Sequence, residues 1–267
     1  MSAFMRVPGP ARPGFLLFAA LAVAFVLLAR PAAAESAPPA ETGGRSVEEI
    51  ERIVRDYLLA HPELLLEVQQ ALQVKMRAQQ EAQDREAIAE HAAALFLDPE
   101  APVGGNPEGS ITLVEFFDYR CPHCRRAQPV IERVIATNAD LRIIYKELPI
   151  LGEESVLAAR AALAARPQGR YDAFHAALMQ ADGPFTEARL MELAEAAGLD
   201  AERLAEDMAD PAIEAIIAAN RRLAERLGIN GTPNFVTSEH IIRGALGLEQ
   251  FQALLVELRL AQAGTAE

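Results

Sequence analysis

Two cysteines are all this 267-residue chain has, and they stand three apart in Cys121-Pro122-His123-Cys124. The apolar run Ile111-Thr112-Leu113-Val114 ahead of them has strand composition, and Ala127, Val130, Ile131 and Val134 behind them have helical spacing. A Cys-x-x-Cys at a strand-to-helix junction has the geometry of a redox motif. A helix that begins at Pro122, a residue favoured in the first turn, places Cys121 where unpaired N–H groups and the helix dipole favour a thiolate. Cys124 follows one turn later on the same face. His123, when protonated, adds a cation that lowers the Cys121 thiol below its usual value of about 8.5. A stabilised thiolate favours the dithiol and makes the disulfide readily reduced.

Two structural readings compete with this one. A crosslink stabilises in proportion to the logarithm of the loop it closes, and a loop holding only Pro122 and His123 restrains almost nothing. Structural zinc needs four ligands, whereas the chain has one cysteine pair and five scattered histidines. Neither a metal nor a cofactor is expected.

Cys121-Pro122-His123-Cys124 after Glu115-Phe116-Phe117 resembles the active site of the DsbA family of thioredoxin-fold disulfide oxidoreductases. Gly231-Thr232-Pro233-Asn234-Phe235 resembles that family's cis-proline loop, and Tyr145-Lys146-Glu147-Leu148-Pro149 the end of its next strand. The likeness runs over roughly residues 100 to 260. It implies an α/β thioredoxin fold with an inserted all-helical subdomain. It also implies exchange through Cys121 and Cys124, an acid beneath the disulfide, and a cis Thr232–Pro233 bond that holds an extended substrate.

The catalytic domain is expected over residues 98–261, with the helical insertion at about 152–227. Pro99 to Gly109 marks its boundary. Alternation puts Leu113, Glu115 and Phe117 on one face of the first strand and Val114 and Phe116 on the other, so the strand is central and Glu115 sits in an apolar setting. Such a carboxyl has a raised pKa and can move a proton to or from the second cysteine; the alternative is an exposed strand acid. Asp118 suits a turn or cap as well as a function. Arg120, Arg125 and Arg126 crowd the cysteines and read first as solvated charges. Breaks at Pro167, Gly183, Gly198 and Pro211 divide the insertion into about five helices, with Thr186 and Asp200 as N-caps. Phe235 to Arg243 reads as a hairpin whose Ser238-Glu239 turn departs from the usual Gly- or Asn-rich pair.

At the N-terminus, Arg6 and Arg12 precede the apolar stretch Phe15 to Ala29, which ends in Arg30-Pro31-Ala32-Ala33-Ala34. This is a secretory signal peptide over residues 1–34, its apolar run shorter than the roughly 20 residues of a spanning helix. A retained membrane anchor at residues 15–29 is the alternative. Loss of three arginines takes the net charge from -13 to about -16, which argues against nucleic-acid partners. Residues 35–45 read as a linker. Ser46 is an N-cap, with Glu49 completing a capping box. Val47, Ile50, Val54, Tyr57 and Leu58 then form an apolar stripe. Pro62 ends that helix and begins a long second one reaching Leu97, whose far half, Gln79 to Glu90, is too polar to be buried alone. A comparable helical extension occurs in longer DsbA-like proteins of the ScsC type, where it serves oligomerisation. The resemblance therefore implies a homo-oligomer through residues 46–97; the alternative is packing on the chain's own catalytic domain.

The expected function is that of an exported thiol:disulfide oxidoreductase with disulfide isomerase activity, periplasmic or secreted. In this reading Cys121 attacks and Cys124 resolves, while Pro122 and His123 tune the thiolate. Glu115 moves a proton and Thr232 and Pro233 hold the substrate. Its partners are unfolded or misoxidised proteins and a DsbB- or DsbD-like membrane redox partner. A plain dithiol oxidase is the nearest alternative, and a non-catalytic binding or chaperone protein on the same scaffold is the alternative of another class.

Overall fold

The computed structural model describes residues 44–264. The expected signal peptide and most of the expected linker lie outside the described residues. The chain divides into two compact units, with the boundary between His61 and Pro62. That boundary falls inside the span 46–97, which the sequence presents as one helical element.

The first unit holds α1 (Val47–Ala60). The Ser46 hydroxyl accepts from the Glu49 N–H at 3.2 Å, satisfying one of the orphan donors of the first turn. The acid that answers it is Glu48, whose carboxyl is held below its usual range by its own backbone N–H and the Ser46 hydroxyl. None of the residues of α1 is buried, and Ile50, Val54 and Tyr57 stand exposed along one side.

In the second unit, α2 (Glu63–Glu90) breaks at His91 before the short α3 (Ala92–Phe96), so the long helix stops short of Leu97. Its polar far half is the part that packs. Ile88 joins an apolar cluster with Leu95, Val114 and Phe116. Asp84 is buried because Arg243 reaches it with both terminal nitrogens, each 2.9 Å from a carboxylate oxygen. The sparse apolar positions suffice because one buried isoleucine and one paired carboxylate fix the helix. The near half instead leaves Leu66, Val68 and Met76 exposed.

Five strands form one sheet in the order β1-β3-β2-β4-β5. β2 (Ile111–Phe117) lies at its centre, parallel to β3 (Leu141–Glu147) and antiparallel to β4 (Asn234–Val236). β5 (Ile241–Arg243) pairs with β4 at one edge, and β1 (Val103–Gly105) pairs with β3 at the other. β1 has no sequence signal of its own, since two of its three residues are glycines. A Cβ on Gly104 would stand 2.7 Å from the Tyr145 ring, so this edge accepts only glycine without a shift.

Both faces of β2 are covered, which explains why its residues are apolar on either side. Leu113 and Phe117 enter one cluster with α4 (Pro122–Thr137) and the helical insertion. Val114 and Phe116 enter the other, with Leu223 and Leu227 from the end of α9 (Pro211–Arg226) and the residue after it. Truncating either phenylalanine would cost about 3–5 kcal/mol. The insertion comprises α5 (Glu153–Ala164), α6 (Tyr171–Gln180), α7 (Glu187–Ala196), α8 (Ala201–Asp207) and α9, with a 3-10 turn at Arg166–Gln168. Thr186 and Asp200 cap α7 and α8 through their side chains, and α10 (Leu248–Gly264) closes the domain. In the β4–β5 turn, the Thr237 hydroxyl accepts from the N–H groups of Glu239 and His240. A threonine side chain thus does the work that glycine or asparagine does in common hairpins.

Candidate active site

Cys121 is the N-cap of α4, its φ of -72° and ψ of 116° still extended, and Pro122 opens the helix. The thiol is lowered to about 5, first by a hydrogen bond from the Cys124 thiol, then by Thr232 and by the N–H groups of Cys124 and His123. Burial opposes this shift and loses. The opposite holds for Cys124, which is pushed far above its usual value by the same hydrogen bond, by burial and by the charge of Glu115. Cys121 keeps 4% of its surface and Cys124 none, so the sulfur that ionises easily is also the one a second molecule can reach.

The other wall comes from a segment 111 residues away. Thr232–Pro233 is a cis peptide bond. In its protonated form the Cys121 thiol donates to the Thr232 carbonyl at 3.2 Å. Pro233 is buried and its carbonyl accepts from the Gly244 N–H at 3.0 Å, which ties the loop to the end of β5. Thr232 itself is only half-buried.

Glu115 is completely buried, and neither carboxyl oxygen has a hydrogen-bond partner among the described residues. Burial alone raises it to about 8. His123 is exposed, and its Nδ1 lies 2.9 Å from Arg126 Nη2. A guanidinium only donates, so Nδ1 accepts from Arg126. The part of His123 that acts on the Cys121 thiol is its backbone N–H.

Asp118 closes the turn between β2 and α4. One oxygen accepts from Arg120 N–H at 2.7 Å and Ser155 Oγ at 2.8 Å; the other accepts from the N–H groups of Ile150 and Leu151. Four accepted bonds make it a clasp between the cysteine loop and the start of α5.

A second polar cluster under the site has no motif to announce it. Glu147 Oε1 meets Tyr119 Oη at 3.1 Å and Tyr171 Oη at 2.8 Å, and Tyr119 Oη also lies 3.0 Å from His175 Nδ1. Gln128 donates through Nε2 to Glu132, leaving its Oε1 facing His175 Nε2 at 3.2 Å. His175 must therefore carry its hydrogen on Nε2 and accept at Nδ1 from Tyr119. One phenolic hydrogen cannot serve two acceptors, so Glu147 is the donor to Tyr119 and holds a proton. Burial drives Glu147 well above the usual carboxyl range and lowers His175 to about 3, in keeping with a neutral acid and a neutral imidazole. Of these residues only Glu147 lies in a stretch that the family resemblance marked, and composition does not distinguish a buried tyrosine from a paired one.

The profile of the DSBA-like thioredoxin domain matches residues 112–256, more than half of the chain. The chain belongs to the DSBA-like thioredoxin family. Residues 47–83 match the N-terminal domain of the copper resistance protein ScsC. A thioredoxin-like oxidoreductase from Silicibacter pomeroyi DSS-3 is 48% identical, with a TM-score of 0.60, covering 62% of this chain and 96% of its own. A linker-deletion variant of Proteus mirabilis ScsC is 27% identical with a TM-score of 0.62, covering 82% and 98%. The Na(+)/H(+) antiporter NhaA 1 of Salinispora arenicola is 30% identical over 172 residues, covering 63% of this chain and 26% of the antiporter. This DSBA-like chain thus spans about a quarter of the length of the antiporters it matches. Among the described residues no helix is long and apolar enough to cross a membrane, and no cluster of three metal-binding side chains occurs.

Proposed function

We propose that this DSBA-like protein is an exported thiol:disulfide oxidoreductase that exchanges disulfides with client proteins and isomerises misplaced ones. The observation that carries the reading is the opposite displacement of two neighbouring thiols, Cys121 lowered to about 5 and Cys124 raised, with the first against the Thr232 carbonyl. The Cys121 thiolate attacks one sulfur of a client disulfide, forming a mixed disulfide and releasing the client's other sulfur as a thiolate. If a client thiolate then attacks the client sulfur of that mixed disulfide, a new client bridge forms and the Cys121 thiolate leaves unchanged, which is isomerisation. If Cys124 gives its proton to Glu115 in its ionised form, the minor form below about pH 8, and attacks Cys121, the client departs reduced and the enzyme disulfide closes. Pro122 starts the helix that stabilises the thiolate, and Thr232 and Pro233 offer the edge along which the client backbone lies.

Export rests on residues 1–34, and the proposed association element is the part of residues 46–97 that leaves its apolar side chains exposed, from Val47 to Met76. The exposed apolar side of α1, with Ile50, Val54 and Tyr57, supports a second copy of this chain as its cover. A DsbB- or DsbD-like membrane partner would reset the cysteines. The depressed Cys121 thiol favours a second reading, a dithiol oxidase, because a stable thiolate makes an oxidising disulfide.

Refolding of a scrambled, multiply bridged protein by the wild type and by Cys121→Ala tests the proposal. Acceleration by the wild type alone is expected, and equal rates would contradict exchange chemistry. Net oxidation of a reduced client without rearrangement of the scrambled one would assign the oxidase instead. Sedimentation of the wild type and of Tyr57→Glu reads the association: an assembly in the first and monomers in the second are expected.

A further inference from the structure

The chain is acidic, with a net charge of -13, yet the cleft beside the reactive cysteine is basic. This cleft, of about 590 Å³, is lined by Arg120, Arg125 and Arg126 over a floor that includes Pro122, Pro129 and Met179, with no carboxylate in the lining. Arg120 directly precedes Cys121, and Arg125 and Arg126 directly follow Cys124, so the charge is attached to both ends of the motif.

The three cations are not equally free. Arg120 is held on its far side, its Nε 3.3 Å from Glu154 and its Nη1 donating to the Gly183 carbonyl at 2.9 Å. Arg125 meets Asp182 at 3.1 Å, but the Asp182 side chain is fully exposed, and an ion pair open to solvent is weak and easily exchanged. Arg126 is exposed and has no carboxylate within ion-pair distance among the described residues; its partner is His123 Nδ1. One uncompensated cation and one weakly compensated cation therefore stand in a cleft whose lining includes Pro122, the residue that follows Cys121.

We propose that this cleft is a specificity surface that favours clients whose cysteine is flanked by aspartate or glutamate in an extended segment. The inference rests on the exchange chemistry proposed above and adds the charge of the preferred client. Complementary charge at an interface rim acts mainly on encounter rate, and it is screened by salt.

The test is single-turnover oxidation of the reduced full-length protein by three synthetic peptides. Each carries one intramolecular disulfide, flanked by Glu, Gln or Lys. Each turnover converts the peptide disulfide to a dithiol and the Cys121/Cys124 dithiol to a disulfide, so electrons balance without an added reagent. The Glu peptide should react about 3- to 10-fold faster than the Lys peptide at low ionic strength, as expected of two exposed cations. The ratio should approach one at high salt. It should also collapse in the Arg125→Gln, Arg126→Gln double variant and survive in the corresponding double lysine variant. Equal rates for the three peptides, or a ratio unchanged in the glutamine variant, would overturn the proposal while leaving exchange intact. Arginine dependence seen with glutathione disulfide and not with the peptides would overturn it in favour of a small anionic thiol. No exchange with any peptide would remove the exchange reading itself, and this inference with it.

Discussion

Glu115 and Cys124 are both fully withdrawn from solvent, and the charge of the first is one of the causes that raise the thiol of the second. Neither group ionises cheaply, and Glu115 can take a proton from Cys124 only in its ionised form, which grows as pH approaches 8. A buried carboxyl with no hydrogen-bond partner is expensive unless it is neutral, and this one is raised to about 8.

Its titration has a definite sign. The folded chain keeps the Glu115 proton up to about pH 8, whereas the unfolded chain releases it near 4.3. Folded protein binds more protons between those values, so this group lowers stability as pH rises, by about 1.4 kcal/mol per unit across the window. Glu115→Gln removes that loss. Denaturant midpoints of variant and wild type should be close at pH 4.5 and diverge towards pH 8, with the variant higher. Towards pH 8, where the wild-type carboxylate is ionised, the same variant should release a mixed disulfide through Cys124 about 10- to 100-fold more slowly, because that proton acceptor is gone. Parallel stability profiles would show that Glu115 is not a buried titrating acid.

The cluster around Glu147 makes an unlike pair of predictions. Because the hydrogen count there requires a protonated Glu147, Glu147→Gln keeps a neutral group of the same shape and should change stability by less than about 1 kcal/mol. Tyr119→Phe leaves His175 Nδ1 without a partner and Glu147 with Tyr171 alone, and should cost about 1–3 kcal/mol. Urea unfolding of the two variants measures both values. A larger loss for Glu147→Gln than for Tyr119→Phe would mean that the carboxyl is ionised.

Arg243 and Asp84 predict a different asymmetry. The Arg243 side chain is 41% exposed and that of Asp84 9%, so a stranded arginine can turn to water and a stranded aspartate cannot. Asp84→Asn should cost about 1 kcal/mol and Arg243→Gln about 2–4 kcal/mol. Equal, small losses in chemical denaturation would show that α2 is not fixed to the sheet by this pair.

The comparison of sequence with structure shows which forces leave a local trace. The two-faced apolar pattern of Ile111 to Phe117 announced a central strand with Glu115 inside it, because side chains alternate across a sheet whatever else the chain does. The caps at Ser46, Thr186 and Asp200 and the helices between the breakers were equally local. Asp84 and Arg243 are 159 residues apart, and nothing local marks a polar residue whose partner arrives from another element. The Gln79–Glu90 stretch read as a solvated stem for that reason. β1 was illegible because its glycines serve a close approach to Tyr145 rather than a strand propensity. His123 suggested its imidazole as the cation near Cys121, but the position of Arg126 one turn away gives that ring an acceptor's part.

The most direct test of the account is the thiolate titration of reduced protein, followed by ultraviolet absorbance and by the pH dependence of alkylation, in the wild type and in Cys124→Ser. Cys121 should titrate alone with a midpoint near 5, its alkylation rate level above about pH 6.5, and Cys124 should stay unreactive through neutral pH. A Cys121 midpoint at or above about 8, the value of an ordinary thiol, would contradict it.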